Sequence, residues 1–298
     1  MYLIGTDEAG YGPNLGPLVI SASVWETETE DLSALQTELT ANNIRIGDSK
    51  KLYHGSGTLA ALETGVLTVL QTLADLPKNL SELRRTAADT DASDVPEQTP
   101  IPIPQAVSQE TVRQKSKILT AILNKHRVKL TALRSKIITA DIFNKKVDTY
   151  PAAGAKASLL SDTTLQLVKA VLPPSIGGVK CLCDKHGGRN RYFDLLTEHF
   201  PGDFFQIIEE KRERSVYRSK DKEFRFIAKG ESQLPIGLSS MLSKYVRELA
   251  MLEFNAYWRQ LIPGLKPTAG YPEDAKRFRA DVETAPGAFD KERYWRKR

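Results

Sequence analysis

Met1-Tyr2-Leu3-Ile4-Gly5-Thr6-Asp7-Glu8-Ala9-Gly10-Tyr11-Gly12-Pro13-Asn14-Leu15-Gly16-Pro17 is the stretch on which the reading of this chain turns. Residues 2–6 read as a short strand, and residues 18–25, Leu-Val-Ile-Ser-Ala-Ser-Val-Trp, as a second. Between them lies a turn rich in glycine and proline. Asp7 falls where the first strand meets that turn, and Glu8 follows it. Glycines at such a place let the main chain pass close to a ligand and present its N–H groups. The turn lacks Gly-x-Gly-x-x-Gly spacing, and no Lys-Ser/Thr pair completes a P-loop, so it is not a nucleotide cradle of those kinds.

Outward from this stretch, strands and helices interleave. Apolar residues 59, 62, 66, 67 and 70 predict a helix within 56–85. Residues 86–110 carry acids and four prolines but few large apolar side chains, and predict a mobile insertion. A basic amphipathic helix around 115–127, a strand at 128–139 and a helix at 157–171 follow. Val179-Lys-Cys-Leu-Cys183 reads as a buried strand that stops at Asp184. Strands are expected at 203–209 and 223–228, then a long helix over 237–261 closed by Pro263-Gly264. Such interleaving predicts an α/β layer structure. The expected organisation is a catalytic domain over 1–262 and a C-terminal extension over 263–298 with a basic tail.

The composition suits a globular protein: 41% of residues are hydrophobic and 27% charged. No apolar run approaches membrane-spanning length, and the N-terminus predicts neither a secretory signal nor a transit peptide. Cys181 and Cys183 read as buried thiols of a reduced cytoplasmic protein. The formal charge of +5 tilts mildly toward polyanions. From Lys211 to Lys229 there are eight Lys/Arg against three acids, and the last eight residues mix five cations with Tyr294 and Trp295. Aromatics among cations suit phosphate contact with base stacking; a solvated surface helix and a frayed terminus explain the same pattern.

Phosphodiester hydrolysis needs an activated water, charge neutralisation and help for the leaving oxygen, which two metal ions about 4 Å apart provide. Mg²⁺ prefers hard oxygen ligands, so a few carboxylates suffice. Asp7 and Glu8 are the first candidates. Asp184, at a strand's carboxyl end, is the second, with helix capping as its ordinary alternative. Ser240, Lys244 and Glu248 lie at i, i+4 and i+8 on one helix face, where a Lys–Glu pair is commonly a plain surface ion pair. The four histidines lack metal-ligand spacing; His186 alone is considered as a proton shuttle or phosphate contact.

Together these pieces resemble the type 2 ribonuclease H family (ribonuclease HII). Its Asp-Glu-Ala-Gly-Arg-Gly-Pro…Gly-Pro signature is similar to residues 7–17, and its Asp-Ser-Lys-Lys-Leu to residues 48–52. Its strand-ending Asp falls on Asp184, its Lys-Gly-Asp-Ser on Lys229-Gly230-Glu231-Ser232, and its late Gly-Tyr-Pro on 270–272. Its Ala-Ser-Ile…Lys-Val-x-Arg-Asp is similar to residues 239–248. The resemblance implies a ribonuclease H-like fold, a mixed central sheet flanked by helices, with a C-terminal helical extension. It implies an endonuclease cutting the RNA strand of RNA–DNA hybrids to 3′-hydroxyl and 5′-phosphate ends. It implies Mg²⁺ or Mn²⁺, two ions with substrate, on Asp7, Glu8, Asp184 and Glu248. Gly10, Tyr11 and Gly12 would read the ribose 2′-hydroxyl; Lys50, Lys51, Ser240 and Lys244 would hold phosphate oxygens; Tyr271 would stack on the sugar. Partners are expected to be nucleic acid and no membrane, with the protein a monomer. Tyr11 stands where the family has arginine, and Glu248 and Glu231 where it has aspartate. These departures keep open a nuclease of altered specificity and a hybrid-binding protein without cleavage.

Overall fold

A computed structural model describes residues 1–53, 59–90, 100–174, 178–284 and 291–297. Its strands are β1 (Tyr2–Ala9), β2 (Leu18–Glu26), β3 (Ala88–Thr90), β4 (Lys129–Ile138), β5 (Val179–Asp184), β6 (Gln206–Glu210), β7 (Arg214–Arg218) and β8 (Lys222–Ile227). Its helices are α1 (Ser33–Ala41), α2 (Ser49–Leu52), α3 (Ala60–Leu73), α4 (Leu80–Ala87), α5 (Gln109–Lys125), α6 (Ala140–Val147), α7 (Ala155–Val171), α8 (Phe193–His199), α9 (Leu234–Leu261), α10 (Pro272–Glu283) and α11 (Lys291–Tyr294). The strands form one mixed sheet in the order β3-β4-β2-β1-β5-β8-β7-β6. β1 runs antiparallel to β2 and parallel to β5, which runs parallel to β8.

Every residue of β2 except the last is buried, as a strand covered on both faces requires. On one face Leu3 and Val19 pack with side chains of α1, α3, α4, α5 and α9. On the other, Ile4, Ile20 and Cys181 pack with α6, α7 and α8. Cys181 and Cys183 are buried and unbridged. A third core, with Leu15, Trp258, Phe278 and Val282, joins α9 to the C-terminal helices. Among the described residues no helix is long and apolar enough to cross a membrane.

The long helix α9 lies unusually near the sheet. A Cβ on Gly5 would come within 2.1 Å of the Pro235 carbonyl carbon, so only glycine permits this approach. Small hydroxyl side chains fill the seam. Ser239 donates to the Gly5 carbonyl at 2.8 Å, and Ser243 Oγ lies 3.0 Å from the Asp7 carbonyl and 2.7 Å from Ser21 Oγ.

Four expectations change. The helix expected within 56–85 is two helices, because Ala74 turns extended and Pro77 offers no N–H to continue the ladder. The basic stretch 211–229 is the hairpin β7–β8, whose Tyr217, Phe224 and Phe226 pack into the second core, with Val216 buried on the opposite face. Several of its cations are paired, Arg214 with Glu209 and Arg218 with Glu223, each at 2.6 Å. Of the insertion expected at 86–110, residues 91–99 lie outside the described residues, but both flanks are built into the fold. β3 pairs with β4, and the buried Glu63 carboxylate accepts the N–H groups of Gln105, Ala106 and Val107 at 2.5–3.0 Å. Finally, Tyr294 and Trp295 are partly buried against the third core rather than displayed in a free tail.

Glu63 also accepts the Tyr245 hydroxyl of α9 at 2.8 Å, so one carboxylate joins α3, the 105–107 segment and α9. Replacing it by leucine strands these donors. Glu63→Leu is expected to lower unfolding free energy by about 3 kcal/mol in chemical denaturation.

Candidate active site

β1 runs on to Ala9, past the end expected at residue 6, and keeps Asp7 and Glu8 paired with β2. Its parallel pairing with β5 sets Thr6 opposite Cys183, so Asp7 lies beside Asp184, the last residue of β5. Asp7, Glu8 and Asp184 each offer a carboxylate oxygen within 4.8 Å of the others. Asp7 is buried and the other two are half-buried. The Glu8 N–H donates to Asp7 Oδ1 at 2.8 Å, and the Gly230 N–H to Asp184 Oδ1 at 3.0 Å.

Such crowding disfavours ionisation. Burial, then the charges of Glu8 and Asp184, push the Asp7 carboxyl well above its usual range. Burial, then Asp184, raises Glu8 to about 8, against the pull of Lys50. Burial raises Asp184 to about 6; Gly230's N–H opposes the rise and Glu231 adds to it. An all-oxygen set of mutually repelling carboxyls fits a hard divalent cation, which would relieve the repulsion that burial amplifies.

Glu248 is not part of this group. Its Oε1 accepts from Lys244 Nζ at 2.5 Å and from Arg247 Nη1 at 3.4 Å, and its Oε2 accepts the Tyr53 hydroxyl at 3.0 Å. Burial and Glu248 push Tyr53 up to about 12, so it stays a donor. On the same helix, Ser243 Oγ lies 3.0 Å from the Asp7 carbonyl and Ser240 is close enough to Asp7 to oppose the rise of its pKa, while the Glu248 carboxylate is engaged by Lys244, Arg247 and Tyr53.

The acid that does feel the cluster is Glu231, whose charge raises both Asp184 and Glu8. It sits in a short 3₁₀ turn, Gly230–Ser232, entered through Lys229 at φ 59°. Its Oε1 lies 3.9 Å from Lys50 Nζ. The motif is visible in sequence, but its relevance depends on β8 lying beside β5 with Ile227 opposite Asp184. That pairing between distant segments is what sequence reasoning missed.

The remaining expected residues surround the carboxyls unequally. Gly10 has φ +88°, and a Cβ there would meet the Pro17 carbonyl at 2.4 Å, so the turn needs glycine at this point. Gly12 faces open space. The Tyr11 hydroxyl lies against Gly187, and burial, then Glu8, raises its pKa. Lys50 and Lys51 are about four-fifths exposed, free to meet a polyanion. Ser240 is buried and bonded to Ser49 Oγ at 2.9 Å, while Lys244 is tied to Glu248 and lies 4.6 Å over the Tyr53 ring. Tyr271 is half-exposed with Arg247 5.7 Å from its ring. His186 is not a proton shuttle: it is buried, its Nδ1 is 3.0 Å from Ser161 Oγ, and burial holds its pKa down to about 3.

Raised carboxyl pKa values in the folded state carry a definite sign. The native protein binds more protons than the unfolded chain between the ordinary carboxylate range and about pH 8, so metal-free stability falls as pH rises through that window. Calorimetry without divalent ions should show the melting temperature falling from pH 5 to pH 8, with added Mn²⁺ restoring more at pH 8. Asp7→Asn, which removes one repelling charge, should melt a few degrees above wild type without metal and lose the metal-dependent rise.

The family model described as Ribonuclease HII matches residues 4–177, more than half of the chain. That span includes Asp7, Glu8 and the 10–17 turn and ends before Asp184. No curated protein sequence matches. Similar solved structures include the PCNA:RNase HII complex from Archaeoglobus fulgidus, at 13% identity and TM-score 0.48, covering 100% of this chain and 95% of that one. Another is ribonuclease H2 from Pyrococcus horikoshii OT3, at 14% identity and TM-score 0.46, covering 99% and 92%. A third is Bst-RNase HIII in complex with Mn²⁺, at 17% identity and TM-score 0.43, covering 99% and 66%. With the family match over its first strands and its acidic turn, this chain belongs to the ribonuclease HII family and is a ribonuclease H-type hydrolase of phosphodiester bonds.

Proposed function

We propose that the protein is a divalent-metal-dependent endonuclease that hydrolyses the RNA strand of RNA–DNA hybrids, leaving 3′-hydroxyl and 5′-phosphate ends. The observation that carries this reading is the convergence of Asp7, Glu8 and Asp184 within 4.8 Å on the central strands β1 and β5. Asp7, Glu8 and Asp184 would hold Mg²⁺ or Mn²⁺, with Glu231 as the fourth acid in place of Glu248. Bound there, divalent ions supply water activation and neutralise charge developing on the phosphate.

The rest of the work falls to this chain's own groups. Lys50, whose charge acts on Glu8 and Asp184, and the exposed Lys51 next to it in α2 attract the phosphate backbone. Gly10, Tyr11 and Gly12 bring backbone to the ribose, where a 2′-hydroxyl distinguishes RNA from DNA. Tyr271 offers a half-exposed ring to a sugar, backed by Arg247. Ser240, bonded to Ser49 Oγ at 2.9 Å, opposes the rise of the Asp7 pKa. Lys244 reaches a phosphate only by exchanging Glu248 for it, so Glu248 tunes substrate affinity rather than metal binding.

The test uses duplexes with an all-RNA strand, one embedded ribonucleotide, or DNA only, in Mg²⁺ and Mn²⁺. Wild type should cut the first two, and Asp7→Asn should reduce cleavage by roughly 100-fold or more. Cutting of DNA alone, abolished by the same substitution, would instead mean a nuclease of other specificity; tight binding without turnover would mean a hybrid-binding protein.

A metal titration separates the two candidate fourth acids. Glu231→Gln should raise the metal concentration for half-maximal activity by roughly 10- to 100-fold. Glu248→Gln should leave that concentration unchanged and shift KM for the duplex.

A further inference from the structure

The turn that carries Gly10, Tyr11 and Gly12 is held from behind by the end of the chain. Asn14 and Leu15 donate their N–H groups to the Gly270 carbonyl at 2.8 and 3.2 Å. Leu15 is fully buried in the third core beside Trp258 and Phe278, where Tyr294 also packs, 5.4 Å from Trp258. Beyond Tyr294 the backbone N–H of Arg296 donates to the Asn14 carbonyl at 2.8 Å, and its Nη2 donates to the Pro13 carbonyl. The Arg296 guanidinium lies 5.0 Å over the Phe143 ring and is 1% exposed. Asn144 of α6 fixes this segment reciprocally, donating to the Trp295 carbonyl at 2.9 Å and accepting the Lys297 N–H at 2.8 Å.

Arg296 is a poor choice for stability alone. Among the described residues its Nε and Nη1 have no hydrogen-bond partner, no carboxylate pairs with it, and Arg247 adds like-charge repulsion. A buried, incompletely paired cation is commonly matched or bettered by an apolar side chain of similar volume. What Arg296 does provide is a pair of inward contacts for consecutive turn carbonyls, its guanidinium to Pro13 and its backbone N–H to Asn14, in a segment that contains Gly10 at φ +88° and Gly16 at φ +81°. Fixing those peptide planes fixes where the neighbouring N–H groups point.

We propose that Arg296 is a positioning residue for ribose recognition: the strap formed by residues 295–297 sets the 10–16 turn against the substrate, while the carboxyls on β1 and β5 are held independently of it. This rests on the hybrid-cleavage reading above. It separates discrimination between ribose and deoxyribose, which depends on the strap, from metal binding, which does not.

The experiment compares full-length wild type, Arg296→Met and Arg296→Lys by three readouts. These are melting temperature, amide hydrogen exchange over residues 10–16, and the ratio of cleavage of a single-ribonucleotide duplex to an all-DNA duplex. Arg296→Met fills the same space without the guanidinium. It should keep the wild-type melting temperature and Mn²⁺ affinity, exchange roughly 10-fold faster across the turn, and lose about 10-fold in the ribose ratio. Arg296→Lys, which retains a donor toward Pro13, should recover part of both. Unchanged exchange overturns the proposal, as does faster exchange with an unchanged ratio, or a loss of activity no greater than the loss of folded protein. If wild type cleaves neither ribonucleotide substrate, it is the hybrid reading that fails. The exchange measurement, with binding of the same two duplexes, then still decides whether Arg296 governs the turn and its preference for ribose.

Discussion

Asp7, Glu8 and Asp184 repel one another in a partly buried corner of the sheet, and the surrounding structure is arranged to withstand that repulsion. Three flexible acids at the surface would swing apart into water. These cannot, because Asp7 and Glu8 lie within β1 and Asp184 ends β5, parallel strands hydrogen-bonded to each other at the centre of an eight-stranded sheet. α9 presses on the same strands through the Gly5 approach and the hydroxyls of Ser239 and Ser243. Glu63 ties α9 in turn to α3 and to the segment at 105–107.

In the proposed reading, the groups that would meet substrate sit on different supports from those that would hold metal. The acids belong to strands or, for Glu231, to a turn bonded directly to Asp184 through Gly230. Recognition would fall to a glycine-rich turn, to the exposed lysines of α2 and to Tyr271 before α10. Arg247 links these parts: it touches Gly10, lies against Tyr271, bonds Glu248 and donates to the Ala269 carbonyl at 2.8 Å. The C-terminal segment also braces the glycine-rich turn, through Gly270 and Arg296.

The basic stretches show why charge in a sequence is ambiguous until the fold is known. Lys211–Lys229 reads as a candidate polyanion surface, yet it forms a hairpin in which Arg218, Arg225 and Lys222 face acids from several segments. The C-terminal cations read as a frayed tail, yet Arg296 is among the most buried large side chains described. Lys50 and Lys51, only two charges in a short motif, are about four-fifths exposed, and the charge of Lys50 acts on Glu8 and Asp184.

Local patterning by itself determined the first strand, the strand ending at Asp184, the glycine-rich turn, the long helix over most of α9, and membership in a recognisable family. Those features are legible because each follows from side-chain periodicity, or from glycine and proline constraints, within a few neighbouring residues. Only the tertiary structure decided which acids meet. β8 beside β5 brings Glu231 toward Asp184, and Lys244, Arg247 and Tyr53 engage the Glu248 carboxylate. Only the fold showed that the chain's end returns to its first turn. Strand order and helix placement are set by the packing of whole faces against one another, and no short window of sequence records which distant face will be the neighbour.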